Sequence, residues 1–231
     1  MMKIAANFNQ RVVVHSDSLE WIKSPMPGVH RRPLDRVGAE VARATTIVRY
    51  APGSEFSPHV HTGGEEFIVL DGTFQDEHGS FPAGSYIRNP PQSQHQPSSL
   101  TGCVMLVKLW QFQPDDRTHV RLQTQFMGSV PDSNFKGVNI TPLYKDEFEE
   151  VSLLHFEANA EMKIDVIDGA ELLVLDGSLN EQNDTLTKHS WLRTPVQTTI
   201  NARAGENGAK VWIKTGHLID VENQITRVKN A

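Results

Sequence analysis

The 231-residue chain contains few features that would cross-link it, anchor it in a membrane or attract nucleic acid. Its single cysteine, Cys103, excludes an intrachain disulfide and fits a reducing compartment. No apolar run approaches the roughly 18 residues that a membrane helix needs, and the N-terminus has no signal-peptide core. The net charge of -6, with scattered lysines and arginines, disfavours phosphate-backbone binding. We therefore expect a soluble, cytoplasmic protein that binds neither membrane nor nucleic acid.

The apolar residues that are present occur in short segments rich in β-branched and aromatic side chains. Such segments cover residues 46–50, 67–70, 103–107, 172–175 and 210–213. Turn-forming pairs such as Asp71-Gly72 and Asp176-Gly177 bound them, which is typical of strands joined by tight turns. A helical turn or two is expected only near residues 16–22. Many short strands at regular spacing predict an all-β sandwich or barrel.

An internal repeat indicates two copies of one β unit. Residues 64–72 align with residues 169–177 at an offset of 105 positions, and residues 85–90 align with 190–195 at the same offset. Residues 28–34 echo residues 137–143 at an offset of 109. A shared offset in separate blocks predicts duplication rather than a chance likeness of strands. The polar, turn-rich residues 112–121 are the expected junction between the copies.

Four residues of the first copy have the spacing and the chemistry of a metal site. His59 and His61 are two residues apart, so their side chains share one face of an extended strand. Glu65 keeps this parity, and His95 follows a Pro-rich turn that would return the chain past the first strand. Three imidazoles and one carboxylate suit a borderline divalent ion such as zinc, nickel, manganese or iron. We predict one divalent ion bound by these four side chains.

Other chemistry-bearing side chains are weaker candidates. Glu66 is the alternative to Glu65 if the chain bulges at Gly63-Gly64. His30 stands beside Arg31-Arg32, which could approach an anionic ligand. A rival site in the second copy would combine residues without a common ligand spacing, namely His155, Asp165, Glu171 and His189. Cys103 is expected to behave as a small hydrophobe, and a structural or solvated role is expected for the remaining histidines, His15, His78, His119 and His217.

The same residues resemble the two sequence motifs of the cupin family. The first motif is matched at every position by the run Gly53-x5-His59-x-His61-x3-Glu65-x6-Gly72. The second motif is similar to the run Gly84-x5-Pro90-x-Gln92-x2-His95-x3-Ser99, with Gln92 for the usual glycine and Ser99 for the usual asparagine. These departures affect turn geometry rather than ligands. The resemblance implies small jelly-roll barrels, with the ion in the mouth of the first.

A narrower resemblance, to the ChrR-type cupin, covers most of the first copy. It is carried by residues 24–32, 42–45, 49–54 and 86–91. That module is the C-terminal part of certain zinc anti-sigma factors, and the resemblance implies zinc on His59, His61, Glu65 and His95. The zinc-dependent N-terminal domain that grips the sigma factor has no counterpart in the twenty or so residues before Trp21. A second cupin follows on the C-terminal side instead.

The second copy has lost the ligand residues. At the offset of 105, the four ligand positions fall on Ile164, Val166, Ala170 and Ile200. All four are apolar, as expected where a site has collapsed into the core, because unpaired buried ligands are costly. The predicted organisation is an N-terminal arm (1–20), a metal-binding cupin (21–113) and a degenerate second cupin without metal ligands (114–231).

Two functions compete on this evidence. The first is a regulatory or sensory role for a zinc-binding bicupin, with a sigma factor doubtful as partner because the sigma-binding domain is absent. The alternative is a metal-dependent dioxygenase or isomerase acting on a small oxygenated compound, for which iron, nickel or manganese is expected. A storage-protein role is disfavoured by the intact ligands. A small-molecule ligand at the ion and a homodimer formed through edge strands are both plausible.

Overall fold

The computed structural model describes residues 2–231, and most of them lie in antiparallel strands. In chain order the strands are β1 (Met2–Ile4), β2 (Val12–His15), β3 (Ile22–Lys23), β4 (Val29–Gly38), β5 (Ala42–Tyr50), β6 (Ser54–Glu55), β7 (His59–His61), β8 (Glu65–Asp76), β9 (Gly79–Pro82), β10 (Ser85–Asn89), β11 (Ser93–His95), β12 (Ser98–Ser99), β13 (Cys103–Leu109), β14 (Val120–Gln123), β15 (Val130–Pro131), β16 (Val138–Lys145), β17 (Glu150–Phe156), β18 (Glu161–Val166), β19 (Ala170–Glu181), β20 (Asp184–Thr187), β21 (Ser190–Thr194) and β22 (Thr198–Thr215). One α-helix, α1, spans Val221–Lys229 in the described residues, and 3-10 turns cover Ser16–Ser18 and Thr124–Phe126. The predicted all-β class is confirmed.

The described chain forms two compact units, each assembled from separate segments. Unit 1 comprises residues 2–6, 20–126 and 222–231, whereas unit 2 comprises residues 7–19 and 127–221. The predicted N-terminal arm is thus divided between both units, and α1 belongs almost entirely to unit 1. Strand pairing, rather than position along the chain, decides where such short segments pack. The limits of the N-terminal arm (1–20) and of the two cupins (21–113 and 114–231) stay predictions.

Unit 1 is built on an antiparallel sheet with the strand order β1-β4-β5-β13-β8-β10-β14. The short strands β3, β9 and β12 pair along this sheet, and β7 and β11 form a separate two-stranded ribbon. Side chains from β8, β9, β10 and β13 fill the core, namely Phe67, Val69, Phe74, Phe81, Ile87, Cys103, Met105 and Val107. Burial of these apolar side chains is the main stabilising contribution to the sheet.

Unit 2 repeats the strand order of unit 1, as β15-β16-β17-β22-β19-β21-β2. In unit 1, Ile87 lies opposite Phe67. In unit 2, Leu192 lies opposite Leu172, which is the same pairing shifted by 105 residues. The repeat detected in the sequence is therefore also a repeat of strand register.

The last strand of each main sheet lies outside the sequence range predicted for its own copy. In unit 1, β14 pairs with β10, and the Thr124 hydroxyl then donates to the Gly84 carbonyl at 2.7 Å. In unit 2, β2 pairs with β21, and the Ser16 hydroxyl donates to the His189 carbonyl at 2.8 Å. A 3-10 turn follows both strands. The strand β14 therefore completes the main sheet of unit 1, and β2 completes the main sheet of unit 2.

Gly72 and Gly177 lie within strands, although the sequence predicts that they end them. β8 continues to Asp76, and β19 continues to Glu181. Both glycines have a left-handed backbone, with φ of 71° and 70°. A Cβ on Gly72 would lie 2.1 Å from the carbonyl oxygen of Gly102, just before β13, and a Cβ on Gly177 would lie 2.1 Å from that of Gly208 in β22. A glycine therefore bends the strand at this point, where a close backbone approach excludes a side chain.

Helix content also differs from the prediction. Near residues 16–22 only the 3-10 turn Ser16–Ser18 forms. The nine-residue α1 was not predicted. Its Ile225 and Val228 are buried, and Arg43 Nε donates to Gln224 Oε1 at 2.7 Å. No helix among residues 2–231 is long and apolar enough to cross a membrane.

Candidate metal centre

Three strands of unit 1 bring the predicted ligands together. His59 and His61 begin and end β7, and β11 pairs with it so that His95 lies directly opposite His59. Glu65 is the first residue of β8. The turn between His61 and Glu65 contains Gly64 at φ 78°, where a Cβ would lie 2.5 Å from the Phe112 ring. The hairpin geometry therefore gathers three imidazoles and one carboxylate from distant parts of the chain.

The distances between the donor atoms fit a single ion. His61 Nε2 lies 2.9 Å from His95 Nε2 and 3.3 Å from Glu65 Oε2, and His95 Nε2 lies 3.6 Å from the same oxygen. The donor atoms of the three histidines all lie within 4.8 Å of one another. Two ligands bonded at about 2.1 Å to one ion would be about 3.0 to 3.4 Å apart at right-angled or tetrahedral geometry. The residues present therefore fit a divalent metal.

Two contacts of the Nδ1 atoms leave the Nε2 atoms of His59 and His95 directed toward the site. His95 Nδ1 lies 3.4 Å from Asp76 Oδ2, and His59 Nδ1 lies 3.1 Å from the Ser57 carbonyl. If both Nδ1 atoms carry the proton, both Nε2 atoms are free to coordinate, in the arrangement common around metal-bound histidines. Burial lowers the pKa of His61. Burial opposes protonation of His95 too, but the hydrogen bond to Asp76 and the Glu65 charge raise its pKa overall.

Asp76 was not predicted, and its placement explains why. Strand β8 carries one extra residue, Leu70, between the positions paired with Val104 and Met105. This bulge reverses the alternation of side chains, so that Asp76 shares a face with Glu65 although they are an odd number of residues apart. Without the bulge, the odd spacing would place Asp76 and Glu65 on opposite faces of β8.

Glu65 and Glu66 point to different surroundings. Glu65 Oε2 accepts a 3.4 Å hydrogen bond from Asn89 Nδ2 and lies beside His61 and His95. Glu66 is buried on the other face, where its Oε1 accepts a 2.5 Å hydrogen bond from the Tyr86 hydroxyl. Of the two carboxylates that the sequence left open, Glu65 is the one beside the histidines.

The rival set in the second copy does not converge. His155 lies 3.2 Å from the Thr141 hydroxyl, and Asp165 accepts a hydrogen bond from Thr199. Glu171 pairs instead with the buried His217 at 3.0 Å. Among residues 2–231, the histidines of β7 and β11 form the single group of three or more metal-ligating side chains. Cys103 is buried, and burial raises the pKa of its thiol to about 11, which fits its predicted role as a small hydrophobe.

A cavity of about 230 Å³ opens beside the centre within unit 1. Its wall includes His59, His61 and Glu65, so the site faces an internal space rather than being closed by protein. The rest of the wall combines apolar side chains with charged and polar ones, namely Met26, Val29, Arg31, Arg36, Glu40, Thr46, Val48, Tyr50, Val107 and Leu109. Burial and the Glu65 charge raise the pKa of Tyr50, so its hydroxyl stays protonated and can donate a hydrogen bond.

The corresponding positions of unit 2 are apolar. Strand β18 pairs Ile164 with Ile200, as β7 and β11 pair His59 with His95. Ile200 is fully buried in the unit 2 core. The strand register thus supports the sequence alignment of the two copies at the ligand positions.

Replacing Asp76 with asparagine is expected to weaken metal affinity by about 10- to 100-fold, because His95 loses the carboxylate that orients it. Competition with a chromophoric chelator measures the effect. Asp71→Asn is the control, since Asp71 is an exposed residue of the same strand. Equal affinities for Asp76→Asn and the wild type would show that the contact between Asp76 and His95 has no part in metal binding.

Sequence comparison supports the cupin resemblance. The family described as "ChrR Cupin-like domain" matches residues 9–113, a range that contains all four candidate ligands. No curated protein sequence matches the chain significantly.

Solved structures share the fold over nearly the whole chain. A Nostoc punctiforme protein, provisionally described as a dioxygenase, has a TM-score of 0.73 at 17% identity, covering 91% of this chain and 84% of its own. The bacterial pirin YhhW of Escherichia coli in complex with nickel(II) has a TM-score of 0.64 at 13% identity, with coverages of 89% and 98%. The Lactobacillus farciminis oxalate decarboxylase formate complex has 0.62 at 9% identity, with coverages of 90% and 86%. At these identities the likeness shows the fold alone. The match over residues 9–113 and the shared architecture together identify the chain as a cupin-fold protein.

Proposed function

We propose that unit 1 binds one divalent metal through His59, His61, Glu65 and His95 and acts as a metal-dependent enzyme on a small oxygenated compound. The observation that carries this proposal is the cavity, whose wall is formed in part by His59, His61 and Glu65. A purely structural metal site is closed by its ligands, whereas a catalytic site keeps a position open for substrate. The dioxygenase description of one similar structure is consistent with this class of reaction.

The residues around the cavity supply distinct functions. A divalent ion bound there supplies a Lewis acid that polarises a carbonyl or enolate oxygen. The Tyr50 hydroxyl stays protonated and lines the cavity, where it can donate a hydrogen bond to a substrate oxygen. Apolar walls, including Val48, Val107 and Leu109, exclude bulk water and strengthen these polar contacts. The arrangement suits a dioxygenase or an isomerase.

The identity of the ion separates the two candidate functions. Three histidines and a glutamate suit iron, manganese or nickel in an open five- or six-coordinate site, and they also suit a closed zinc site. A similar structure contains nickel(II), which illustrates that this fold accommodates such an ion. The open cavity favours the open site, and we therefore place iron, nickel or manganese ahead of zinc for an enzyme.

A regulatory or sensory zinc protein is the second candidate, favoured by the ChrR cupin-like match over residues 9–113. In this role the occupied site would change the shape or binding of the protein without turnover. Pull-down of sigma factors by zinc-loaded protein tests its anti-sigma form. Capture of a sigma factor in a zinc-dependent manner would favour this candidate over the enzyme.

Oxygen uptake tests the enzymatic proposal. Protein loaded separately with iron(II), nickel(II) or manganese(II) is assayed on 1,3-diketones and flavonols, while substrate isomerisation is followed by NMR. We expect turnover with at least one metal and its loss in His61→Ala. Metal-loaded protein that turns over no member of the panel by either assay would contradict the enzymatic proposal and leave metal binding as a separate result.

A further inference from the structure

Two arginines line the cavity beside the candidate metal centre. Strand β4 carries an extra residue, Leu34, between the positions paired with Thr46 and Thr45. The bulge reverses side-chain alternation, so that Arg31 and Arg36 share a face although they are five positions apart. Both line the same cavity as Tyr50. Without the bulge, Arg36 would point to the opposite face of the sheet.

These arginines have no carboxylate partner in the described chain. Arg36 is only 7% exposed and donates to the main-chain carbonyls of Ala39 and Glu40. No ion pair joins either arginine to an acidic side chain among residues 2–231. Burial and the nearby charge of Arg31 lower the pKa of Arg36, and the charge of Glu40 offsets only part of this effect. A buried guanidinium without a directly paired carboxylate is costly, and an anionic ligand would reduce that cost.

The charge balance of the cavity also favours an anion. Glu65 and the exposed Glu40 are its acidic side chains, against Arg31, Arg36 and the two positive charges of a divalent ion. Two positive charges remain uncompensated. Arginine presents parallel N–H donors that match a carboxylate in planar, bidentate geometry.

Unit 2 provides an internal comparison, because it contains an equivalent cavity without the candidate ligands, although Lys145 there occupies the position of Arg36. A space of about 370 Å³ is lined there by Ile140, Leu154, Ile164 and Ile213, among others. Ile140 lies opposite Leu154, as Arg31 lies opposite Val48, so Ile140 occupies the position of Arg31. The copy that lacks the candidate metal ligands therefore also lacks this arginine.

Tyr50, like Arg31, is replaced by an apolar residue at the equivalent position of unit 2. In unit 1, Tyr50 lies opposite Val29. In unit 2, Phe156 lies opposite Val138, which places a phenyl ring without a hydroxyl at the equivalent position. The hydroxyl of Tyr50, like the guanidinium of Arg31, is present only in the copy that has the candidate ligands.

Buried polar groups on the other face of the sheets behave differently. Glu66 with Tyr86 in unit 1 corresponds to Glu171 with Trp191 in unit 2, where the indole donates to the carboxylate at 3.2 Å. Both copies keep a hydrogen-bonded glutamate there, so that pair serves the fold. Arg31 and Tyr50 differ between the copies together with the ligands, and this association indicates a role at the site.

We infer that the unit 1 cavity binds a small organic carboxylate, whose anionic end is held by Arg31 and Arg36 and whose other oxygen atoms face Tyr50 and the metal centre. This inference rests on the proposed function for the location of the centre and adds the substrate class. Arg31 and Arg36 are then specificity-determining residues, because a neutral analogue of the same shape gains nothing from the guanidinium groups.

Isothermal titration calorimetry on the full chain loaded with nickel(II) tests the inference without turnover. The probes are pyruvate, oxalate and malonate, their neutral amides, and inorganic phosphate. We expect at least one carboxylate to bind about tenfold or more tightly than its amide and more tightly than phosphate. Arg31→Ile, which introduces the unit 2 residue, is expected to weaken that binding by about 10- to 100-fold with the metal content unchanged.

Two matched variants distinguish the effect of the Arg31 charge on ligand binding from a general effect of substitution on the fold. Arg31→Lys should retain part of the affinity, whereas Arg203→Ile, at an exposed arginine of unit 2, should retain all of it. Equal binding of carboxylates and amides, absence of carboxylate binding, or tighter binding of phosphate would overturn the inference. Unchanged binding in metal-loaded Arg31→Ile would also overturn it. Because the readout is binding, a failure of the enzymatic assay leaves this result intact, and the converse also holds.

Discussion

Replacing His61 with alanine will abolish stable metal binding by unit 1 while the fold persists. His61 Nε2 is central to the site, since it lies closest to both His95 and Glu65. Loss of a direct ligand should exceed the roughly 10- to 100-fold cost of losing an outer hydrogen-bond partner. We expect an affinity loss of more than about 100-fold, measured by competition with a chromophoric chelator.

The fold is compared in the presence of a chelator, because a bound metal would itself stabilise the wild type. Circular dichroism and thermal unfolding of His61→Ala should then match those of metal-free wild type. His155→Ala is the matched control, since His155 is a half-buried strand histidine of unit 2. One equivalent of tightly bound metal in His61→Ala would refute the assigned ligand set.

Replacing Arg43 with alanine is expected to give the largest loss of stability. Arg43 is fully buried and bridges Asp35, Gln111 and Gln224, with its Nη1 lying 3.4 Å from Asp35 Oδ2. Its removal leaves the Asp35 carboxylate buried without its guanidinium partner and releases the contact with α1. Breaking a buried ion pair in this way costs about 3–5 kcal/mol. Urea unfolding followed by intrinsic fluorescence measures the loss.

Two further variants test whether the buried, unpaired charge causes the stability loss expected for Arg43→Ala. Lys145→Ala removes a surface ion pair, in which Lys145 Nζ lies 2.7 Å from Glu150 Oε2, and should leave unfolding almost unchanged because water screens the pair. Replacing Asp35 and Arg43 together with leucine and methionine should recover much of the stability, because neither member of this ion pair is then buried without the other. An equally large loss in the double variant would indicate that packing, rather than the uncompensated charge, dominates.

Local patterns in the sequence accounted for much of the architecture. Short apolar segments rich in β-branched and aromatic residues predicted strands, and the repeat at an offset of 105 predicted two copies of one β unit, whose strand registers correspond. The parity of His59 and His61 predicted a shared face, and β7 presents them in that way. These inferences succeeded because each depends on neighbouring residues or on similarity between the copies.

The features that the sequence did not predict depend on bulges and on pairing between distant segments. An extra residue, Leu70, places Asp76 behind His95, and Leu34 brings Arg36 into the cavity with Arg31. A bulge inverts the parity on which sequence reasoning rests, and no local signature identifies it. The packing of α1 in unit 1 depends on Arg43, which is 181 residues from its partner Gln224.

Elemental analysis of the full chain, purified from its own host without added metal, tests the central claim most directly. One divalent ion per chain is expected, and anomalous X-ray scattering from a crystal should locate it between His59, His61, Glu65 and His95. The equivalent positions of unit 2 should hold none. Metal-free protein that fails to take up an ion on reconstitution, or an ion bound in unit 2 rather than unit 1, would contradict the account.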